Sequence, residues 1–583
     1  MTKEDIAAAF QEYGQLLELK GEPSFRTNSY AMAARALLSF EGDFAGLVAS
    51  GRISEIPGIG STLKAKIEVL SSTGKLPQLE ALRAEIPPGL IQMLRIPGLG
   101  PKKVKAIYDQ LHIETLDELK TACVDSRVAG LKGFGAKTQA KILEGLRFVA
   151  EVGTRVRIDQ GLTAGAILAG RLRAVPGVVA VSTCGSVRRR QETVGNVGLL
   201  VSCVDPMAVL DAFAGQAGVI RVVERTENSV AVRLGIAVDG TLIEVNADVR
   251  VVSGDEFPVT LVQYTGSKAH VEHLRNRAVS LGFELTESQL TKNGKPLKLA
   301  EEEDVYDALG LPYIPPELRE DSGEIEAAAE EALPRLVDVA DIRGVLHNHT
   351  TYSDGSASLK QMALACKELG LEYFGVGDHS QSLKIARGLP PEAVYKQHAE
   401  IDALNRELDG VRILKGTECD ILENGTLDYP DEILRLFDYV VVSVHTLFNL
   451  SREEMTARVC KALVHPATTI LGHATGRLLL RREGYKIDLD AVLQCAAEHG
   501  KMIEINAQPM RLDLDWKYVR KAKAMGIPIV INPDAHSEGE LALFAFGVDV
   551  ARRGWLEAKD VFNTRPINEV IRELERRRSA ARS

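Results

Sequence analysis

Nine residues of metal-ligand type stand at or just beyond the ends of strand-like runs in the C-terminal part of the chain. They are His347, His349, Asp354 in the loop that follows, His379, Glu418, His445, His473, Asp534 and His536. Imidazoles and carboxylates are the donors that hold divalent cations, and a single zinc needs only about four. Two or three ions are therefore expected, and the donor mix suits zinc, manganese or iron. A lone strand-end histidine is ordinarily a satisfied polar group. Six of them on five strand ends, opening with a His-x-His pair, would be costly to bury together without a cation. Clustered divalent ions acidify water and clamp the attacking and leaving oxygens of an in-line phosphoryl displacement. Arg477 and Arg511 are candidates to hold a substrate phosphate, and equally candidates for structural ion pairs. His398, His465 and His499 lie in helix-like surroundings and read as surface or core residues.

A second set of residues suits phosphate without metal. Ile56-Pro57-Gly58-Ile59-Gly60, Ile96-Pro97-Gly98-Leu99-Gly100 and Leu131-Lys132-Gly133-Phe134-Gly135 form an internal repeat of helix–hairpin–helix kind. Gly58, Gly60, Gly98 and Gly100 let the backbone approach a phosphate, which the N–H groups of the next helix start can bind. Lys64 and Lys66 follow the first turn, Lys102, Lys103 and Lys105 the second, Lys137 and Lys141 the third. Such contacts grip a nucleic-acid backbone without reading its sequence. One copy would pass for a glycine turn with solvated lysines; the set points to DNA.

The elements that must position these residues follow from periodicity. Residues 1–85 carry apolar residues at helical spacing, and residues 155–318 contain β-branched runs such as VVAVSTCGSV and TLIEVNADVRVV. Arg319 to Pro334 is acidic, Ala-rich and connector-like. From Asp341 seven strand-like runs alternate with helical stretches: IRGVLHNH, YFGVGDH, VRILKGTECDI, YVVVSVHT, TTILGHA, MIEINA and IPIVINPDAH. That alternation is the mark of a β/α barrel or related parallel sheet, whose C-terminal strand ends converge on one rim. At 583 residues, two to four domains are expected. The net charge of −10 means that a nucleic-acid partner needs local basic patches. Seven cysteines without a C-x-x-C pair suit reduced thiols. No apolar run reaches the roughly 20 residues of a membrane helix, and MTKEDIAAAFQEYG has no apolar signal core, so a cytoplasmic chain is expected.

LHNHTTYSDG, GVGDHS, GTECDIL, SVHT, LGHATGR, EINAQPMRLDL and PDAHS resemble the motifs of the PHP (polymerase and histidinol phosphatase) domain, from about Asp341 to Glu575. The resemblance implies one ion on His347, His349, Glu418 and Asp534. Glu418 would bridge to a second on His445 and His473, and Asp354, His379 and His536 would hold a third, with Asp534 bridging. LLELKGEPSFRTNSYAMAARAL, the hairpin motifs, GSVRRRQETVG, YTGSK and DVYDALGLPYIPPELRE resemble bacterial X-family DNA polymerases, which carry a C-terminal PHP domain. The implied organisation is an N-terminal helical, lyase-like DNA-binding domain (1–85), helix–hairpin–helix fingers (86–153), an α+β nucleotidyltransferase-like palm (154–260), a thumb (261–320), a linker (321–340) and a distorted seven-stranded β/α PHP barrel (341–575).

The departures matter as much as the match. The family's Gly-Asp-x-Asp, whose aspartates bind the catalytic magnesium ions, is here Gly195-Asn196-Val197-Gly198; Asp248 keeps the third position, and Val271 replaces an asparagine. Magnesium wants anionic oxygens, so two-metal nucleotidyl transfer is expected to fail or to slow by orders of magnitude. Gly185, Ser186 and Arg188 still suit a triphosphate or DNA phosphate. Lys66 matches the Schiff-base lysine of family members with 5′-deoxyribose-phosphate lyase activity, though a phosphate contact is its plainer use. The resemblance thus implies a monomeric DNA repair protein. Its PHP site would trim 3′ ends with Mn2+ or Zn2+, while its other domains hold gapped, nicked or 3′-ended DNA and, in an active palm, a dNTP. The competing expectations are an active gap-filling polymerase with proofreading, a small-molecule phosphatase and a non-catalytic DNA-end scaffold.

Overall fold

The computed structural model describes residues 3–38, 44–56, 58–94, 96, 98–153, 155–238 and 241–580. Met1, Thr2, Pro57 and Pro97, which enter the reading above, lie outside the described residues. The chain divides into two compact units, residues 1–155 with 235–245, and residues 156–234 with 246–583.

The first unit is built on helices around one apolar core that includes Ile6, Phe10, Leu16, Ile67, Leu70, Val104 and Ile107. Helices Lys3–Lys20 and Ser24–Leu38 meet edge-on through Tyr13 and Tyr30, ring centroids 4.7 Å apart. The repeat is structural as well as sequential. Gly58, Gly98 and Gly133 occupy the same place in each copy, with φ of 91°, 77° and 89°, a region glycine enters without steric cost. Helices Ser61–Thr73, Pro101–Leu111 and Gly135–Val152 follow the three turns. A Cβ added at Gly60, Gly98, Gly100 or Gly133 would meet nothing within 4 Å, so the turns present open backbone.

Residues 178–252 form a five-stranded sheet that contains one parallel pair. Strands Val197–Cys203 and Thr241–Val252 lie side by side with Gly198 opposite Asp248. Helices Phe257–Thr265, Lys268–Ser280 and Glu302–Ala308 then enclose a separate core with Leu274, Tyr306 and Leu318.

The C-terminal strands are short, parallel and buried on both faces, as a sheet covered by helices requires. They form a three-stranded sheet, Gly344–Val345, Tyr373–Gly375 and Arg412–Leu414, and a five-stranded one, Gly416–Asp420, Tyr439–Ser443, Ile470–Leu471, Met502–Asn506 and Ile529–Asn532. All seven expected runs are present, and the third is divided at Lys415 into two strands. The ladder is not one continuous closed sheet. Single parallel bridges, Asn348 with Ala535 and His379 with Glu418, join the two sheets at their seams. Gly416 permits the tight approach at one of them, where a Cβ would lie 2.1 Å from Tyr439 and 2.3 Å from the Val376 carbonyl.

Candidate metal centre and polymerase-like palm

All nine ligand-type residues gather at the C-terminal ends of these strands. Glu418, 1 % exposed, is the hub. One carboxylate oxygen lies 2.9 Å from His473 Nε2 and 3.3 Å from His445 Nε2; the other lies 2.9 Å from His379 Nδ1, 3.4 Å from His347 Nε2 and 3.8 Å from His349 Nε2. Asp534 Oδ1 stands 3.1 Å from His349 Nε2 and 3.7 Å from His347 Nε2, while Asp354 Oδ2 lies 3.5 Å from both His379 and His536.

Ligand atoms mutually within 4.8 Å fall into three groups: His349, Asp354, His379 and His536; His347, His349 and Asp534; and His379, Glu418 and His445. These groups share His349 and His379, which the resemblance assigned to one ion each. The donor set fits divalent cations, and so do the orphaned atoms. His347 Nε2, His349 Nδ1, His379 Nδ1, His473 Nδ1 and Glu418 Oε1 are buried without a hydrogen-bond partner, a costly state for polar groups that a cation would relieve. The electrostatics agree. Burial works against ionised Glu418, yet His445, His347 and His379 hold its carboxyl well below the usual range. Burial, with His536 and His379 nearby, lowers His349 to about 4, keeping it a neutral donor.

A second layer orients the imidazoles, and the sequence reading did not single it out. Glu504 accepts from His347 Nδ1 at 2.7 Å and also from the His473 backbone and the Asn506 and Asn532 amides. Asp420 accepts from His445 Nδ1 at 2.6 Å. Each fixes the tautomer that turns Nε2 toward the site. Asp378 accepts from Thr350, Ser353 and Gln397 and so braces the loop carrying Asp354. The signal was present: Glu504 is the charged residue of MIEINA, the one strand run without an expected ligand, and Asp420 and Asp378 neighbour expected ligands.

A cavity of 350 Å³ opens over the cluster, lined on one side by Asp354, His379, Glu418 and His536 and on the other by Phe448, Arg482 and Arg511. Arg511 Nε stands 3.7 Å from Asp534 Oδ2. Arg482, not foreseen, packs over Phe448 at 4.5 Å. Arg477 does not line this cavity. Its guanidinium donates to Glu192 at 2.6 Å and to the carbonyls of Arg511 and Leu512, the structural use rather than the phosphate-holding one.

In the palm, Asn196 donates its amide to Asp248 Oδ1. A Cβ at Gly198 would lie 3.8 Å from that same oxygen and 3.0 Å from Cys184 Sγ. Positions 196, 198 and 248 thus converge, but only one carboxylate stands there, and burial raises its pKa. Val271 is buried on helix Lys268–Ser280. Gly185 and Ser186 open the short helix Gly185–Arg188. Arg188 is engaged, paired to Glu302 at 2.7 and 2.8 Å and donating to Thr265 at 2.8 Å.

In the helical unit, Lys66 is half-buried with its ammonium 5.0 Å from the Tyr13 ring centre, and burial and then Arg26 lower its pKa. Lys102, Lys137 and Lys141 are exposed beyond their turns, while Lys103 returns to the Gly98 carbonyl at 3.2 Å.

Fold and site together define a polymerase-like, DNA-handling chain joined to a metal-dependent hydrolase domain. Family models match a helix-hairpin-helix domain at residues 1–76, a SAM-like helix-hairpin-helix tandem at 90–147, a DNA polymerase beta thumb at 260–320 and a PHP domain at 346–508. The chain is 36% identical over 578 residues to the "DNA polymerase/3'-5' exonuclease PolX" of Bacillus subtilis (strain 168), covering 99% of this chain and 100% of that one. It belongs to the PolX family, X-family DNA polymerases with a C-terminal PHP domain. The C-terminal part is also similar to a probable phosphatase of Thermoanaerobacter sp. (strain X514), 30% identical over 40% of this chain and 96% of the relative. A probable phosphatase of Vibrio vulnificus (strain YJ016) is 31% identical over 33% and 76%. Among the described residues no helix is long and apolar enough to cross a membrane.

Proposed function

We propose that the PHP centre hydrolyses phosphodiesters at DNA 3′ ends, and that the helical and palm domains serve to hold the DNA. One observation carries this reading: nine nitrogen and oxygen donors from strands far apart in sequence gather around Glu418 and Asp534, seven of them lining one cavity with His347 and His349 buried behind, and several have buried atoms without a hydrogen-bond partner. His347, His349, Asp354, His379, Glu418, His445, His473, Asp534 and His536 would hold the ions, Mn2+ or Zn2+ in two or three sites. When bound, such ions neutralise phosphate charge and acidify the attacking water. The chain's own part is positional. Glu504 and Asp420 lock His347 and His445, Arg511 and Arg482 offer guanidiniums to a phosphate, and Phe448 gives a terminal base an aromatic wall.

On the same reading the palm has stopped catalysing and became a DNA holder, because Asn196 and Gly198 supply no charge where Asp248 supplies one. The open glycine turns of the helical unit support backbone contacts to DNA. The test is 3′-labelled gapped and single-stranded DNA with Mn2+, run beside histidinol phosphate and beside His347→Ala. Shortening from the 3′ end that falls at least about 100-fold in the variant is expected; hydrolysis of histidinol phosphate alone would sink the assignment. In the same assay, Asn196→Asp with Gly198→Asp is expected to restore gap filling, and robust extension by the unaltered chain would refute the retired palm.

A further inference from the structure

The PHP domain has a second cavity, of 370 Å³, that takes no part in the metal centre. It lies at the opposite ends of the same strands. Tyr439, Thr469 and Lys501 line it where strands Tyr439–Ser443, Ile470–Leu471 and Met502–Asn506 begin, whereas His445 and His473 follow the far ends of the first two. One five-residue strand, about 17 Å, separates the two ends.

Its lining is crowded with cations: Lys501, Arg435, Arg576, Arg577 and Arg578, against the acids Asp431 and Asp438. Arg578 lies 3.1 Å from Asp438, Arg435 lies 3.7 Å from Asp431, and Arg576 and Arg577 share Glu573. Lys501 is different. It is 8 % exposed, and its ammonium donates to the carbonyls of His465 at 3.0 Å and Thr468 at 2.8 Å. Among the described residues no carboxylate comes within the 4.0 Å of an ion pair. An ammonium has three donors, so the two carbonyls leave one. Burial, and then the Arg577 guanidinium, pull its pKa down to about 8. A buried ammonium beside the Arg577 guanidinium, with no carboxylate of its own, is costly to keep, and an anion in the cavity lowers the cost. Guanidinium forks match phosphate oxygens and the lysine adds a point charge. The volume falls in the roughly 300–1,000 Å³ range of small-molecule sites, with the exposed His499 ring to meet a sugar or base, while His465 is held by Asp431 at 3.3 Å and by the Ala467 N–H at 3.2 Å.

We propose that this pocket is a phosphate-recognising site that takes a mononucleotide, distinct from the metal centre. The inference stands whether or not the metal centre is a nuclease.

The test is calorimetric titration of the full chain, stripped of metal by chelation so that no cation in the metal centre draws phosphate, with the Lys501 and Arg577 variants showing which cavity binds. The probes are dTMP, inorganic phosphate, thymidine and a 5′-phosphorylated ten-residue oligo-dT. The expected result is one site per chain for dTMP, competed by phosphate and silent to thymidine. Lys501→Met and Arg577→Gln should each weaken dTMP at least tenfold, while Lys501→Arg retains it. Should Lys501→Met fail to fold, the exposed pair Arg435→Gln with Arg576→Gln decides by the same criterion. Hydrolysis of 3′-labelled DNA with Mn2+ is expected to be unchanged in these variants, which separates a failure here from a failure of the nuclease reading. The site is refuted if dTMP shows no binding up to roughly 10 mM, if the substitutions leave its affinity intact, or if the oligonucleotide binds and dTMP does not.

Discussion

Glu504 shows at the scale of one residue how much of this site is positioning. It belongs to none of the three ligand groups, yet it fixes the His347 ring and receives the His473 backbone N–H. Burial disfavours its charge, and the His347 charge more than offsets that, holding its carboxyl below the ordinary range. Glu504→Gln keeps the shape but removes the charge and turns one of the two accepting oxygens into a donor, so His347 Nδ1 and the His473 backbone N–H can no longer both be held. We expect metal affinity to fall by roughly 10–100-fold, the usual cost of losing such a partner. Manganese or zinc titration of the chelated protein checks it, and an unchanged affinity would mean that His347 is held by other means. The nine ligand-type residues were legible in the sequence because strand periodicity puts eight of them at or near C-terminal strand ends and Asp354 in the loop after the first. Glu504 was not, because an acid inside an apolar strand run has no local signature of its partner.

At the scale of elements, a buried charge cluster helps tie the thumb to the palm. Glu302 on helix Glu302–Ala308 receives Arg188 from the palm and Arg319 from the following segment. Burial raises its pKa, but Arg188 and Arg319 outweigh burial and bring it down to about 2. The folded value lies below the unfolded one, so this carboxylate's contribution is fully present above about pH 4.5 and is lost as pH falls through about 2. A drop of that size corresponds to about 3 kcal/mol. Glu302→Gln should therefore lower unfolding free energy by that order at pH 7, measured in urea, with the difference shrinking steadily below pH 4.5. A pH-independent difference would contradict this account. The sequence reading gave Arg188 to a phosphate because the Gly-Ser-x-Arg motif is local; its pairing with Glu302 joins residues 114 apart.

For the molecule as a whole, the question left open by the sequence was how the palm and the PHP domain are joined. They share one unit, and the junction is ionic. Arg477 reaches Glu192 of the palm directly, and the end of the thumb bridges the rest: Arg189 of the palm and Arg553 of the PHP domain converge on Glu320, and Arg552 pairs with Glu317. Glu192 is buried, which raises its pKa, and Arg477 opposes that. Arg477→Met should leave Glu192 buried and unpaired and cost about 3–5 kcal/mol. Adding Glu192→Gln should recover part of the loss, because the two changes share one interaction. Strict additivity in urea unfolding would show that the strut is not there. The pair also links the loop leading to Asn196 with the segment after His473, so the variant's 3′-end hydrolysis is worth measuring alongside its stability.

The sequence by itself determined the strand ends that bear ligand-type residues and the repeated glycine turns, and its resemblance to X-family polymerases implied the order of the domains and the missing carboxylates at 196 and 198. All of these are local patterns: periodicity, residue type and spacing. Only the tertiary structure decided which imidazoles share neighbours, that Arg477 spans a domain junction instead of facing substrate, and that Lys501 and the arginines near the chain's end meet around a cavity. Each of those depends on distances between residues remote along the chain, set by how strands and helices pack, and no local pattern encodes them.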